Sequence, residues 1–309
     1  MSTIIHINSI AELHNALNFD APNHPLISLV NVSDLEIKEE MIGVKVVTNL
    51  YTISLKDEHC GMLYGMTSSD FERGVLLFTA PYQVIMATKA LKKNEENGWV
   101  LYFHPDLIQQ FSLSQKMNQY NFFEYEANEA LHLSENEKDI LNNIAAKIRE
   151  EYIQMIDKHS QNLIVSNLEL LLNYSLRFYE RQFISRSINN QSILVDFESN
   201  LNTYLEESTL VEKGFPSIQY FAEKMNFSPN YLSDLLKKET GYSIKEHINN
   251  LVLRKAKNKL LTTNNSISEI AYSLGFNYPH YFTRFFSSKT GMTPTKFRKE
   301  ENKYFLKEL

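Results

Sequence analysis

Chemistry at a protein site needs suitable side chains within reach of one another, and this 309-residue chain offers few such groupings. Its nine histidines never fall within three or four residues of each other, so no H-x-H or H-E-x-x-H pattern is present to hold a metal. His59 and Cys60 stand side by side, a nucleophile next to a base. Neighbouring residues of a strand point to opposite faces, so this pair reads as an ordinary strand or loop dipeptide. His104-Pro105 reads as the end of a strand before a helix. There is no Gly-rich phosphate loop and no G-x-S-x-G motif. A single cysteine excludes a disulfide framework within one chain. No catalytic residue, metal or cofactor is expected.

The side chains that stand out are donors and acceptors suited to recognition. Pro279, His280, Thr283 and Arg284 fall at helical spacing, with Lys289 five residues on. Asn230, Ser233, Asp234 and Lys237 take comparable places earlier in the chain. An arginine presents five donors that suit the edge of a guanine or a phosphate. An aspartate accepts from cytosine N4 but works against affinity near phosphates. Glu269 offers Arg284 another fate, an ion pair within its own domain.

These residues gain meaning from the elements that would present them. "IQYFAEKMNFSPNYLSDLLKKETGYS" (218–243) and "ISEIAYSLGFNYPHYFTRFFSSKTGMT" (267–293) are two copies of one pattern. Ile218, Ala222, Met225 and Phe227 match Ile267, Ala271, Leu274 and Phe276, all 49 apart. After one extra residue in the turn, Tyr231, Leu232, Leu235, Leu236 and Thr240-Gly241 match Tyr281, Phe282, Phe285, Phe286 and Thr290-Gly291, all 50 apart. Each copy predicts a short helix with a central alanine that permits close crossing, a tight turn, and a second helix. Gly275, and Asn226 in its place, suit a left-handed residue at the first helix end. Ser228 and Pro229 read as N-cap and first helical position. This is the layout of a helix-turn-helix, whose second helix enters the major groove of DNA. Phe282, Phe285 and Phe286, like Leu232, Leu235 and Leu236, share one face and are assigned to packing rather than base stacking. The outward positions are then the nine recognition residues named above.

Charge is distributed accordingly. Residues 215–309 carry 15 Lys/Arg against 8 Asp/Glu, a balance of +7, while residues 1–214 stand at −13, for the chain's total of −6. A basic end on an acidic body suits a polyanion-binding module joined to something else.

Ahead of the repeat the pattern changes twice. Residues 26–103 hold short β-branched and aromatic runs broken by Gly, Pro, Asn and Asp, which predict a small barrel or sandwich. Ser134 with Glu137 forms a capping box, and Ile140, Ile144, Ile148, Tyr152 and Met155 continue it as an amphipathic helix. A second, more apolar helix follows over 162–186. This pair either closes over its own domain or pairs with a second chain. Residues 187–192, "SINNQS", are polar and aperiodic and read as a linker. No basic-then-apolar leader and no long apolar run is present, so a cytoplasmic protein without membrane contact is expected.

The last hundred residues resemble the DNA-binding domain of AraC/XylS transcription regulators. The second copy carries the most specific part of that pattern: Ile270-Ala271, Gly275-Phe276, Tyr281-Phe282, Arg284, Phe286, Lys289, Gly291, Thr293-Pro294 and Phe297-Arg298. Arg254, Ala256, Leu260 and Leu261 of the intervening helix also fit. Asn226 departs from it, standing where glycine is usual, and Asp234 puts an acid on the reading face. The N-terminal half resembles, through segments such as "YGMTSSDFERGVLLFTAPYQVI" and "GWVLYFHPDLI", the cupin-like domain many such regulators carry. The resemblance implies an α+β multidomain chain. Its parts are a cupin-like β-barrel with trailing dimerisation helices (1–186, helices 134–186), a linker (187–192), and an all-α domain (193–309) with helix-turn-helix motifs at 217–239 and 266–289. It implies a regulator binding double-stranded DNA as a homodimer, with a small effector and RNA polymerase as further partners. The alternatives are an effector-independent DNA-binding protein whose barrel only dimerises and, more distantly, a sugar-isomerase type of cupin enzyme.

Overall fold

A computed structural model describes residues 4–56, 74–87, 90–126, 129–154, 157–185, 187–206, 210 and 214–305. The chain divides into two compact units, Met1–Ser185 and Arg186–Leu309. The His59–Cys60 pair, Met155 and residues 57–73 lie outside the described residues.

The first unit is mixed α and β. Its strands are β1 (Ile4–Ile7), β2 (Ile27–Asn31), β3 (Lys45–Thr48), β4 (Tyr51–Lys56), β5 (Val75–Thr79), β6 (Val84–Met86), β7 (Gly98–Phe103) and β8 (Leu131–His132). They form a three-stranded sheet in the order β1-β3-β6 and a five-stranded sheet in the order β2-β7-β4-β5-β8. β1 runs parallel to β3; the other pairings are antiparallel. Among the described residues no ladder closes these sheets into a barrel. Period-two alternation is visible in β5, where Leu76 and Phe78 are buried and their neighbours are half-buried.

Among the described residues four α-helices belong to this unit: α1 (Ile10–Ala16), α2 (Ser112–Lys116), α3 (Glu135–Ile153) and α4 (Ser160–Ser185). The capping box at Ser134 and Glu137 starts α3 as its sequence predicts. Glu137 also takes a bidentate pair from Arg181 of α4, at 3.0 and 2.7 Å, and Arg181 donates to the His132 carbonyl at 2.6 Å. The Tyr152 hydroxyl of α3 accepts from Leu29 N–H at 2.9 Å, and the Trp99 indole donates to Asn142 at 2.8 Å. Phe78, Phe122 and Tyr179 stack between β5 and α4, with Phe122 and Tyr179 nearly parallel at 5.5 Å. The two long helices therefore cover one face of the larger sheet.

The second unit is all helical: α5 (Ser187–Glu206), α6 (Ile218–Met225), α7 (Pro229–Thr240), α8 (Ile244–Thr262), α9 (Ile267–Ser273), α10 (Pro279–Thr290) and α11 (Pro294–Phe305). Residues 187–192, read from composition as a linker, are helical backbone within α5. Propensity differences among polar residues amount to only a few tenths of a kcal/mol each, too little to stop a helix whose later turns pack. Phe197, Leu201 and Tyr204 of α5 are those packed positions.

Candidate nucleic-acid interface

Both repeats fold as a helix, a turn and a helix, and each turn is built from the same bonds. Asn226 lies in the left-handed region at φ 58°, and Phe227 N–H returns to the Ala222 carbonyl at 2.9 Å. Gly275 lies at φ 79°, and Phe276 N–H returns to the Ala271 carbonyl at 3.1 Å. These bonds close each first helix in the Schellman manner. At the far end, Thr240 donates to the Leu236 carbonyl at 2.7 Å, and Thr290 donates to the Phe286 carbonyl at 2.8 Å. Gly241 and Gly291 follow them at positive φ.

Each copy has its own core, and α8 is shared between them. Ile244, Ile248, Val252, Ala256 and Leu260 form a buried spine along α8 at four-residue steps. Phe221, Ala222, Leu232, Leu235 and Leu236 are buried in the first copy. Ile270, Ala271, Leu274, Phe282, Phe286 and Phe297 cluster with Ala256 and Leu260 in the second. The packing role expected for Phe282 and Phe286 holds. Phe285 is only half-buried and sits between Phe215, at 6.2 Å, and Phe276, at 5.5 Å. Arg298 of α11 donates to the Leu260 carbonyl at 3.0 Å and the Asn265 carbonyl at 2.7 Å, fixing the end of α8.

The outward positions of α7 and α10 differ in accessibility. Lys237, His280, Arg284 and Lys289 are exposed, while Asn230, Ser233, Asp234, Pro279 and Thr283 are half-buried. The Thr283 hydroxyl returns to the Pro279 carbonyl at 3.1 Å. Glu269 does not pair with Arg284: its carboxylate accepts from Ser266 N–H at 2.7 Å in a capping box. That bond holds the Glu269 carboxyl below its usual range. Among the described residues no ion pair engages Arg284.

The sequence did not anticipate two tyrosines. Tyr281 was matched to Tyr231, which is 5% exposed and stacks on Phe227 at 5.5 Å, yet Tyr281 is 53% exposed. Tyr278 is exposed beside it, and His280 completes a ring group with centroids 4.2–5.9 Å apart. The signal was present in the extra residue of the second turn, which breaks the one-to-one match at that point.

Two helix-turn-helix units sharing a central helix make this domain a tandem helix-turn-helix module. The profile of the family described as Helix-turn-helix domain matches residues 221–300. The chain is 32% identical over 145 residues to YfiF of Bacillus subtilis, an HTH-type transcriptional regulator, covering 47% of this chain and 43% of YfiF. It is 38% identical over 79 residues to the Msm operon regulatory protein of Streptococcus mutans, covering 26% and 28%. A crystal structure of the C-terminal domain of the response regulator yesN from Fusobacterium nucleatum is 29% identical, with 33% of this chain and 96% of that one covered, at a TM-score of 0.29. The chain spans less than half the length of these two curated relatives.

Proposed function

We propose that this chain is a sequence-specific transcription regulator that binds double-stranded DNA through α7 and α10, set in successive segments of the major groove. The observation that carries this reading is the pair of matching helices whose outward faces hold Lys237, His280, Arg284 and Lys289 exposed on a unit of net positive charge. Asn230, Ser233, Asp234, Pro279 and Thr283 complete the contact set. Arg284 reads a base edge and Lys289 meets phosphate. The helical unit Arg186–Leu309 serves as the DNA-binding domain and Met1–Ser185 as a regulatory and dimerisation domain.

The first domain is read as an unclosed relative of the cupin-like barrel. Thr52 and Ser54 lie on one face of β4, buried, with hydroxyls that meet no hydrogen-bond partner among the described residues. Tyr102 stands beside Thr52 on the same face, and burial pushes its phenol up to about 12. Unpaired buried hydroxyls are costly unless something bonds them, which favours a small hydrogen-bonding effector over the effector-independent alternative. Leu163, Leu170, Leu176 and Ile184 are exposed along α4 and support homodimerisation through that helix. RNA polymerase contact and a cytoplasmic location belong to the same reading. Among the described residues no helix is long and apolar enough to cross a membrane.

The decisive experiment is selection of duplexes from a random pool by the full chain, then a salt titration on the winner. Log affinity is expected to fall with log salt by roughly 0.9 per neutralised phosphate. Arg284→Ala is expected to weaken the selected site about tenfold and to relax preference at one position. Full affinity in folded Arg284→Ala overturns this placement of α10. Sedimentation of the full chain tests the dimer: a monomer at tens of micromolar leaves α3 and α4 as intrachain cover.

A further inference from the structure

The second recognition helix differs from the first in one respect that bears on what it reads. In the first copy Phe227 lies under Tyr231, and the ring is buried. In the second copy the matching Phe276 is taken up by Phe282 at 5.5 Å, Phe285 at 5.5 Å and Phe215 at 5.0 Å. Among the described residues the rings against Tyr281 are those of Tyr278 and His280, not Phe276. The residue added in the turn brings Tyr278 alongside instead, 57% exposed, with its ring 5.9 Å from Tyr281 and 5.6 Å from His280. His280 lies 4.2 Å from Tyr281. The group sits over the first turn of α10, the end of a recognition helix that meets base edges. Arg284 follows one turn later, three residues from Tyr281 and four from His280, and is exposed.

Exposed rings at such a place cost solvation free energy until an apolar surface covers them. The major groove offers one apolar group on the base edges, the C5-methyl of thymine; every other feature is a donor or an acceptor. We propose that Tyr281, supported by Tyr278 and His280, is a specificity-determining residue that packs on a thymine methyl beside the base read by Arg284. This rests on the DNA-binding reading above and adds to it a base identity that none of the polar recognition residues supplies. The first recognition helix, with its tyrosine buried, has no such contact, so the methyl requirement is confined to the half of the site under α10.

The test uses the full chain and its selected duplex, with each thymine replaced in turn by deoxyuridine, which removes the methyl and keeps the pairing edge. One or two positions in one half-site are expected to lose about 3- to 10-fold in affinity, the scale of one buried methyl with its ring contact. Tyr281→Ala is expected to lose a similar factor on the thymine duplex and to become indifferent to uridine at those positions. Tyr281→Phe is expected to keep the methyl effect, because the ring and not the hydroxyl makes the contact. Thermal unfolding of both variants is expected to match the parent chain, as the ring is exposed. Wild-type affinity unchanged by uridine at every position overturns the proposal, as does a selected half-site without thymine. A Tyr281→Ala loss equal on thymine and uridine duplexes overturns it as well, assigning the ring to sugar-phosphate. A chain that binds no duplex at all overturns the DNA-binding reading first and this inference with it.

Discussion

The two helix-turn-helix copies have nearly the same backbone and differ in how they close around it. The first turn uses Asn226, which is exposed, so a side chain at φ 58° meets no obstruction. The second uses Gly275, where a Cβ would lie 2.7 Å from the Gly214 carbonyl carbon and 2.9 Å from a Leu210 methyl. The departure from the usual glycine at Asn226 is therefore permitted by open space, while at Gly275 both the left-handed φ and close packing forbid a larger residue. Ser228 caps α7, accepting from Tyr231 N–H at 3.2 Å, whereas Tyr278 at the start of α10 makes no side-chain cap bond. The first copy spends its local side chains on order within the helix, and the second leaves them facing outward. Equal sequence pattern thus yields equal backbone but not equal surface.

The comparison can be broken most strongly through the cores. Phe286→Ala is expected to cost about 3–5 kcal/mol, and hydrogen exchange should show the loss in α9 to α11 with α6 and α7 still protected. Equal loss of protection in both copies would mean that the shared α8 makes them one cooperative unit. Next in size is the turn. Gly275→Ala is expected to cost about 1–3 kcal/mol from the strained φ and the Gly214 contact, while Asn226→Gly shifts stability by only about half a kcal/mol. Thermal unfolding of the two variants side by side reads the difference, and similar melting points would refute the packing argument at Gly275.

A smaller contrast lies in the caps. Ser228→Ala is expected to lose about 1 kcal/mol, and Tyr278→Ala to leave stability unchanged within error in denaturant titration. The smallest effect is a pH dependence peculiar to the first copy. His247 accepts or donates with the Thr240 hydroxyl at 2.8 Å and packs edge-on to Phe197, and its counterpart 50 residues on is Phe297. Burial lowers the His247 pKa from 6.5, opposed by Glu198 and Glu246. The folded protein then binds that proton less readily than the unfolded chain, so His247 contributes stability above pH 6.5 that is lost as pH falls through its lower folded value. His247→Phe should flatten the stability profile of the first copy just below pH 6.5; an unchanged slope would place the titrating group elsewhere.

Much of this was legible from short-range signals. The capping box at Ser134 and Glu137, the Ser228-Pro229 start and the left-handed positions Asn226 and Gly275 appear as predicted, and strands occupy described parts of the runs read over 26–103. Each depends on residues within a turn or two of one another, and such energies are written locally. The Arg284 alternative was not decidable that way, because Glu269 had two eligible partners and its own N-cap, three residues away, took it.

By itself the sequence determined the repeat, the ends of its helices, the apolar faces that pack them and the basic surface that remains. Only the tertiary structure decided how the described strands divide into two sheets, that Arg181 joins α4 to the start of α3, and that Arg298 closes α8. It also decided the fate of the rings. Phe227 and Phe276 are the same residue at the same place in the pattern, yet one stacks under a tyrosine and the other turns to Phe215, Phe282 and Phe285. Periodicity says which face a ring lies on; which neighbour it touches is settled by competition among partners distant in sequence, and a single inserted residue was enough to change the winner.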